Sequence, residues 1–82
     1  VSSHLANQIV SFVQSLRKED LEKKPGIAEM LDWTAALSGL GINDITSDPE
    51  ALQASLVCLL KTQSDLYSIP KEVSQRLANG AA

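Results

Sequence analysis

Lys23-Lys24-Pro25-Gly26-Ile27-Ala28-Glu29-Met30-Leu31-Asp32-Trp33 reads as the start of a helix. Two lysines approach a Pro-Gly break, and an amphipathic run with the only tryptophan of the chain follows. Pro25 disfavours helix at Lys24 and suits the opening turn of the next one. From Ile27 the periodicity predicts a helix to about Leu40, with Ile27, Met30, Leu31, Thr34, Leu37 and finally Leu40 as its buried stripe. Trp33 falls at the edge of that stripe, where an indole closes a core or a domain interface. Gly39 and Gly41 suit the end of the helix, because glycine accepts the left-handed conformation of a C-terminal cap.

Working outward, Arg17 to Lys24 is the most charged segment of the chain and reads as a solvated connection. Before it, Leu5, Ile9, Phe12, Val13 and Leu16 share one helical face, which predicts a first helix from about Ser3 to Arg17. Ser2 or Ser3 can cap its start. On the other side, Ser47-Asp48-Pro49-Glu50 is a strong helix start. Asp48 with Pro49 supplies a cap and a first-turn proline, and Ser47 with Glu50 matches a capping box. A third helix is expected from about Pro49 to Thr62. With Leu52, Leu56, Val57, Cys58, Leu59 and Leu60 it is apolar over more than half its circumference, so it is expected at the centre. Leu66 and Tyr67 either extend it or form a short turn. Ser68-Ile69-Pro70 opens a last helix with Ile69, Val73 and Leu77 four apart, and Asn79-Gly80 is expected to stop it. The sum is an all-α fold, a small four-helix bundle forming a single domain over residues 1–82.

Composition supports that class. The 82 residues are 44% hydrophobic but 4% aromatic, with Phe12, Trp33 and Tyr67 the aromatic side chains. A core of Leu, Ile, Val and Ala suits helix-on-helix packing better than a small sheet. The net charge of −3 counts against gripping nucleic acid through its phosphates. No apolar run approaches the ~20 residues needed to span a membrane, and the first residues lack a secretory pattern. Cys58 stands alone in an apolar run, which fits a reducing, cytoplasmic setting.

Chemistry-bearing motifs are sparse. The sequence contains no Gly-x4-Gly-Lys-Ser/Thr, no Gly-x-Ser-x-Gly and no His-Glu-x-x-His. His4, the only histidine, lies on the first turn of the first helix and reads as a solvated or capping-region side chain. Cys58, among Val57, Leu59 and Leu60, reads as a packed thiol rather than a nucleophile. Glu29 and Asp32 share a helix face, but first-turn acids more often complement the helix dipole than perform acid–base work. Lys23 and Lys24 precede a helix N-terminus, where free N–H groups and ammonium groups can converge on an anion, although charged loops before helices are commonly only solvated.

Several stretches together resemble the C-terminal lid domain of MoxR-type AAA+ ATPases. One is Leu5-Ala6-Asn7-Gln8-Ile9-Val10-Ser11-Phe12-Val13-Gln14-Ser15-Leu16-Arg17. Another is Lys24-Pro25-Gly26-Ile27-Ala28-Glu29-Met30-Leu31-Asp32-Trp33-Thr34-Ala35-Ala36-Leu37. Asp48-Pro49-Glu50-Ala51-Leu52 and Leu59-Leu60-Lys61-Thr62-Gln63-Ser64-Asp65-Leu66 complete the likeness, which spans Leu5 to Leu66 with order and spacing preserved. The resemblance implies a piece of a larger ATPase, since the large domain of the family carries the P-loop, the Walker B acid and the arginine finger. ATP and Mg2+ would then be cofactors of the parent protein only. The implied partners are its own AAA+ core domain, neighbouring subunits of a hexameric ring and a protein client undergoing remodelling or metal or cofactor insertion. In the family the start of the second lid helix faces the phosphates, which implies nucleotide contact at Lys23, Lys24, Pro25, Gly26, Ile27 and Glu29. Many members place a sensor-2 arginine there. This chain has only Arg17 and Arg76, so either Lys23 or Lys24 substitutes or the role is absent.

The competing reading is a freestanding helical interaction module with an exposed apolar groove near Trp33. A helix-turn-helix DNA binder ranks below it, because the third helix has only Lys61 near its end. A complete enzyme ranks lower still. An opening directly into a helix without methionine leads to the expectation of a piece cut from a longer polypeptide.

Overall fold

Helices in this chain begin where a side-chain oxygen can accept an otherwise unpaired backbone N–H. In the computed structural model, which describes residues 2–81, Ser2 Oγ accepts the Leu5 N–H at 3.2 Å and opens α1 (Ser3–Leu16). Asp48 accepts the Ala51 N–H at 3.1 Å and, with Pro49 behind it, opens α3 (Pro49–Ser55). Thr62 Oγ1 accepts the Asp65 N–H at 3.2 Å and opens α4 (Gln63–Ser68). Gly26 has no such atom, so at α2 (Ile27–Gly39) the acceptor comes from inside: Glu29 Oε1 takes the Gly26 N–H at 2.9 Å. The last helix, α5 (Lys71–Ala81), follows Pro70. Every regular element among the described residues is helical, and the fold is a small helical bundle. Val1 and Ala82, the ends of the expected domain span, lie outside the described residues.

The end of α2 follows the sequence closely. Gly41 takes φ 72°, the left-handed region. The Gly41 N–H donates to the Ser38 carbonyl and the Ile42 N–H to the Leu37 carbonyl, both at 3.0 Å. That is a Schellman motif, and its hydrophobic partners Leu37 and Ile42 are both buried.

Three expectations change. The single third helix is instead α3, a 3-10 turn over Leu56–Cys58 and the separate α4, so there are five α-helices rather than four. Two local competitors break the ladder. Ser55 Oγ donates to the Leu52 carbonyl at 2.7 Å, and Thr62 adopts an extended backbone to cap α4. The Ser47–Glu50 capping box is also unused. Ser47 Oγ donates to the Asp44 carbonyl, while Glu50 pairs with Lys71. Finally, α5 continues through Asn79-Gly80 to Ala81, because Gly80 keeps a negative φ and caps nothing.

The buried side of α2 is also rotated. Ile27, Leu31 and Leu40 are exposed, whereas Trp33 and Leu37 are fully buried. Trp33 is held by two other elements. Its ring lies 4.9 Å from that of Phe12 on α1, tilted by 36°, and its Nε1–H donates to Ser55 Oγ at 2.8 Å. Burying the indole with its N–H satisfied outweighs burying either aliphatic neighbour.

One core cluster joins all the helices, from Leu5, Phe12 and Leu16 through Trp33, Leu52 and Leu56 to Ile69 and Leu77. α1 and α5 form the most extensive helix pair, and α2 packs on α3 and the 3-10 turn. A polar clasp ties α3 to α5. Ser74 Oγ donates to Gln53 Oε1 at 2.7 Å, and Gln53 Nε2 donates to the Ile69 carbonyl at 3.0 Å. The radius of gyration, 11.2 Å, compares with about 11.7 Å for a compact folded chain of this length. The 82-residue chain therefore folds as a unit.

Candidate functional site

The connection ahead of α2 is not merely solvated, because a buried acid fixes it. Asp65, on the first turn of α4, is 1% exposed. Its Oδ1 accepts the Glu22 N–H at 2.8 Å and its Oδ2 the Lys23 N–H at 3.0 Å. Burial pushes the Asp65 carboxyl up. The Glu22 and Lys23 N–H groups, the Thr62 hydroxyl and the charge of Lys24 outweigh that effect, so the group titrates below the ordinary carboxylate value. This clamp sets the path of the chain from Glu22 into Pro25, and with it the position of the two lysines.

Two further contacts complete the loop. Lys24 Nζ donates to the Glu19 carbonyl at 3.0 Å, and Arg17 Nη1 donates to the Pro25 carbonyl at 2.5 Å. Pro25 is buried, while Lys23, Lys24 and Ile27 are exposed. Glu29 is occupied as the cap of Gly26. Asp32 is exposed, and no acid–base pairing between Glu29 and Asp32 is formed. All six residues of the expected nucleotide contact thus lie in one short segment, but their roles differ. Lys23 presents a side chain that makes no hydrogen bond or ion pair among the described residues, whereas Lys24 and Glu29 are engaged by the loop itself.

Arg17 and Asp65 are the parts that sequence reasoning missed. Arg17 reads as the positive end of α1 and Asp65 as a first-turn acid. Only the fold brings the guanidinium to the entrance of α2 and the carboxylate under Glu22 and Lys23.

The segment can contact an anion but is not built to hold one alone. At its N-terminus α2 leaves the first N–H groups without intrahelical acceptors. Between Arg17 and Glu29, however, four cations (Arg17, Lys18, Lys23, Lys24) face four acids (Glu19, Asp20, Glu22, Glu29). The donor set fits one wall of a phosphate site whose remaining charge comes from elsewhere.

The other candidates resolve simply. His4 Nε2 lies 3.0 Å from Asp44 Oδ2 and links the start of α1 to the loop after α2. His4, followed by the Thr46 hydroxyl and N–H, holds the Asp44 carboxyl well below the ordinary range. Cys58 is half-buried against the core. Among the described residues no group of three or more His, Cys, Asp or Glu is placed to hold a metal ion. No helix among them is long and apolar enough to cross a membrane. An open depression of about 210 Å³ between α3 and α5, lined by Thr46, Pro49, Leu52, Gln75 and Asn79, does not involve the segment ahead of α2. The chain matches no protein-family model, no curated protein and no solved structure.

Proposed function

We propose that this chain is the lid of a MoxR-type AAA+ ATPase, in which the start of α2 contacts the phosphates of ATP bound by a separate core domain. The observation that carries the reading is the ordered resemblance from Leu5 to Leu66. It places the lid's nucleotide-facing segment on Lys23 to Glu29. The presentation of that segment supports it: Asp65 fixes the backbone at Glu22 and Lys23, and the Lys23 side chain is left exposed. The balanced charge of the loop suits a sensing contact rather than a binding site. ATP and Mg2+ would reside on the core, which supplies the hydrolytic chemistry, and the fragment itself would be inert.

Coupling then follows from differential contact. A phosphate near Lys23 favours the lid angle that brings the start of α2 closest, and loss of that phosphate releases the preference. Neighbouring subunits of a ring would register the change of angle, and a client protein would be remodelled or loaded with metal or cofactor. The test is ATP hydrolysis by the full-length polypeptide carrying Lys23→Ala, which keeps the backbone N–H that Asp65 accepts. KM for ATP is expected to rise several-fold with no change in melting temperature. Unchanged KM and kcat would remove Lys23 from the nucleotide contact, and absence of ATPase activity from the unsubstituted polypeptide would refute the lid reading.

A further inference from the structure

We infer that the outer face of α2 docks a helix from another protein chain, one whose apolar stripe is flanked by Lys or Arg. This holds whether or not the chain is an ATPase lid. At 100° per residue, Leu31, Ala35, Ser38 and Ile27 fall on the side of α2 opposite Trp33 and Leu37, with Ala28 and Gly39 beside them. Ile27 is 73% exposed and Leu31 61% exposed. No charged side chain lies within that arc, and Asp32 stands at its border. A helix that is apolar on both sides is one that is covered on both sides. The inner side is covered by Phe12, Ser55 and the 3-10 turn, while the outer side has no cover within the described residues. The small side chains of Ala28, Ala35 and Gly39 allow a second helix to approach at the ordinary packing distance of about 8–10 Å.

Charge selects the occupant. The only charged residues of α2 are Glu29 and Asp32, and the helix has no Lys or Arg. A second copy docking α2 on α2 would set these carboxylates against each other. The helical cations of the chain, Lys71 and Arg76, sit on α5, whose buried apolar residue Leu77 already faces the core. No complementary face is therefore offered by a second copy. An anionic bilayer would want a basic border instead. A helix with leucines along one side and cations at its flanks satisfies both the apolar arc and the acidic border.

The test uses three synthetic peptides of about 16 residues, long enough to form helix. One has a leucine stripe flanked by lysine, one has the same stripe flanked by glutamate, and one is a scrambled version of the lysine peptide. Each is titrated into the 15N-labelled 82-residue chain while amide shifts are followed. The lysine-flanked helix is expected to perturb amides of residues 27–39. Its affinity should exceed that of the other two peptides at least tenfold, and it should weaken at least tenfold in Leu31→Gln, an exposed substitution that leaves the melting temperature unchanged. Equal binding of the scrambled peptide, perturbations centred elsewhere, or concentration-dependent dimerisation through residues 27–39 would each overturn the inference.

Discussion

Replacing Leu31 and Leu37 by alanine, one at a time, tests which side of α2 faces the core. Both changes delete the same three carbons from the same helix. Leu37 is 0% exposed and Leu31 is 61% exposed. At about 0.8 kcal/mol per buried CH₂, the deletion at Leu37 loses roughly 2.4 kcal/mol of transfer free energy. The cavity left beneath Ile42 raises the total to about 3–4 kcal/mol. At Leu31 only about two-fifths of the side chain is out of water, so the loss is at most about 1 kcal/mol, further offset by the better helix propensity of alanine. A domain of this length has about 4–12 kcal/mol in all, so Leu37→Ala removes a large share of it. Urea denaturation followed by circular dichroism is the assay, with both variants required to keep the wild-type m-value. A midpoint loss for Leu31→Ala equal to that for Leu37→Ala would refute the register of α2 and restore the stripe expected from periodicity.

Three further outcomes are expected. Ser55→Ala leaves the buried Trp33 Nε1–H without its acceptor and should cost about 1–3 kcal/mol, a loss that shrinks when combined with Trp33→Phe; additive losses in the double-mutant cycle would show that the 2.8 Å contact contributes nothing. Gly41→Ala forces a side chain into φ 72° and should cost about 1–2 kcal/mol, whereas Gly26→Ala, whose Cβ meets only the flexible end of Glu29 at 3.3 Å, should change the melting temperature little; the reverse order would refute the Schellman end. Because folding lowers the carboxyl titrations of Asp44 and Asp65, the stability they confer is complete above the unfolded value of about 3.9 and is lost as pH falls below it. Acid melting curves should therefore decline below about pH 4, with a smaller decline for Asp65→Asn, and a decline that Asp65→Asn leaves unaltered would contradict the clamp.

What the sequence makes legible is what neighbours along the chain decide. The stripe of α1, the Asp48-Pro49 start and the Gly41 end depend on residues within one or two turns, and local sterics and capping settle them. The side on which α2 packs does not follow in this way. Nearly every position from Ile27 to Leu40 is apolar or small, so periodicity does not choose a face; Trp33 is placed by Phe12 and Ser55 from other helices. The split after Ser55 turns on hydroxyls that compete with the ladder at Ser55 and Thr62, each unremarkable in a list of residues. At the candidate site, Lys23 to Glu29 stands out by its Pro-Gly break. The residue that fixes it does not, because Asp65 lies 42 and 43 positions from its two partners.

The most direct test of the lid reading is the coding sequence upstream of Val1, read through about 250 residues' worth, a length typical of a large single domain. A lid predicts Gly-x4-Gly-Lys-Ser/Thr following an apolar strand, with an acid at the end of a later strand. A start codon at or just before Val1 would contradict it and leave a freestanding helical interaction module.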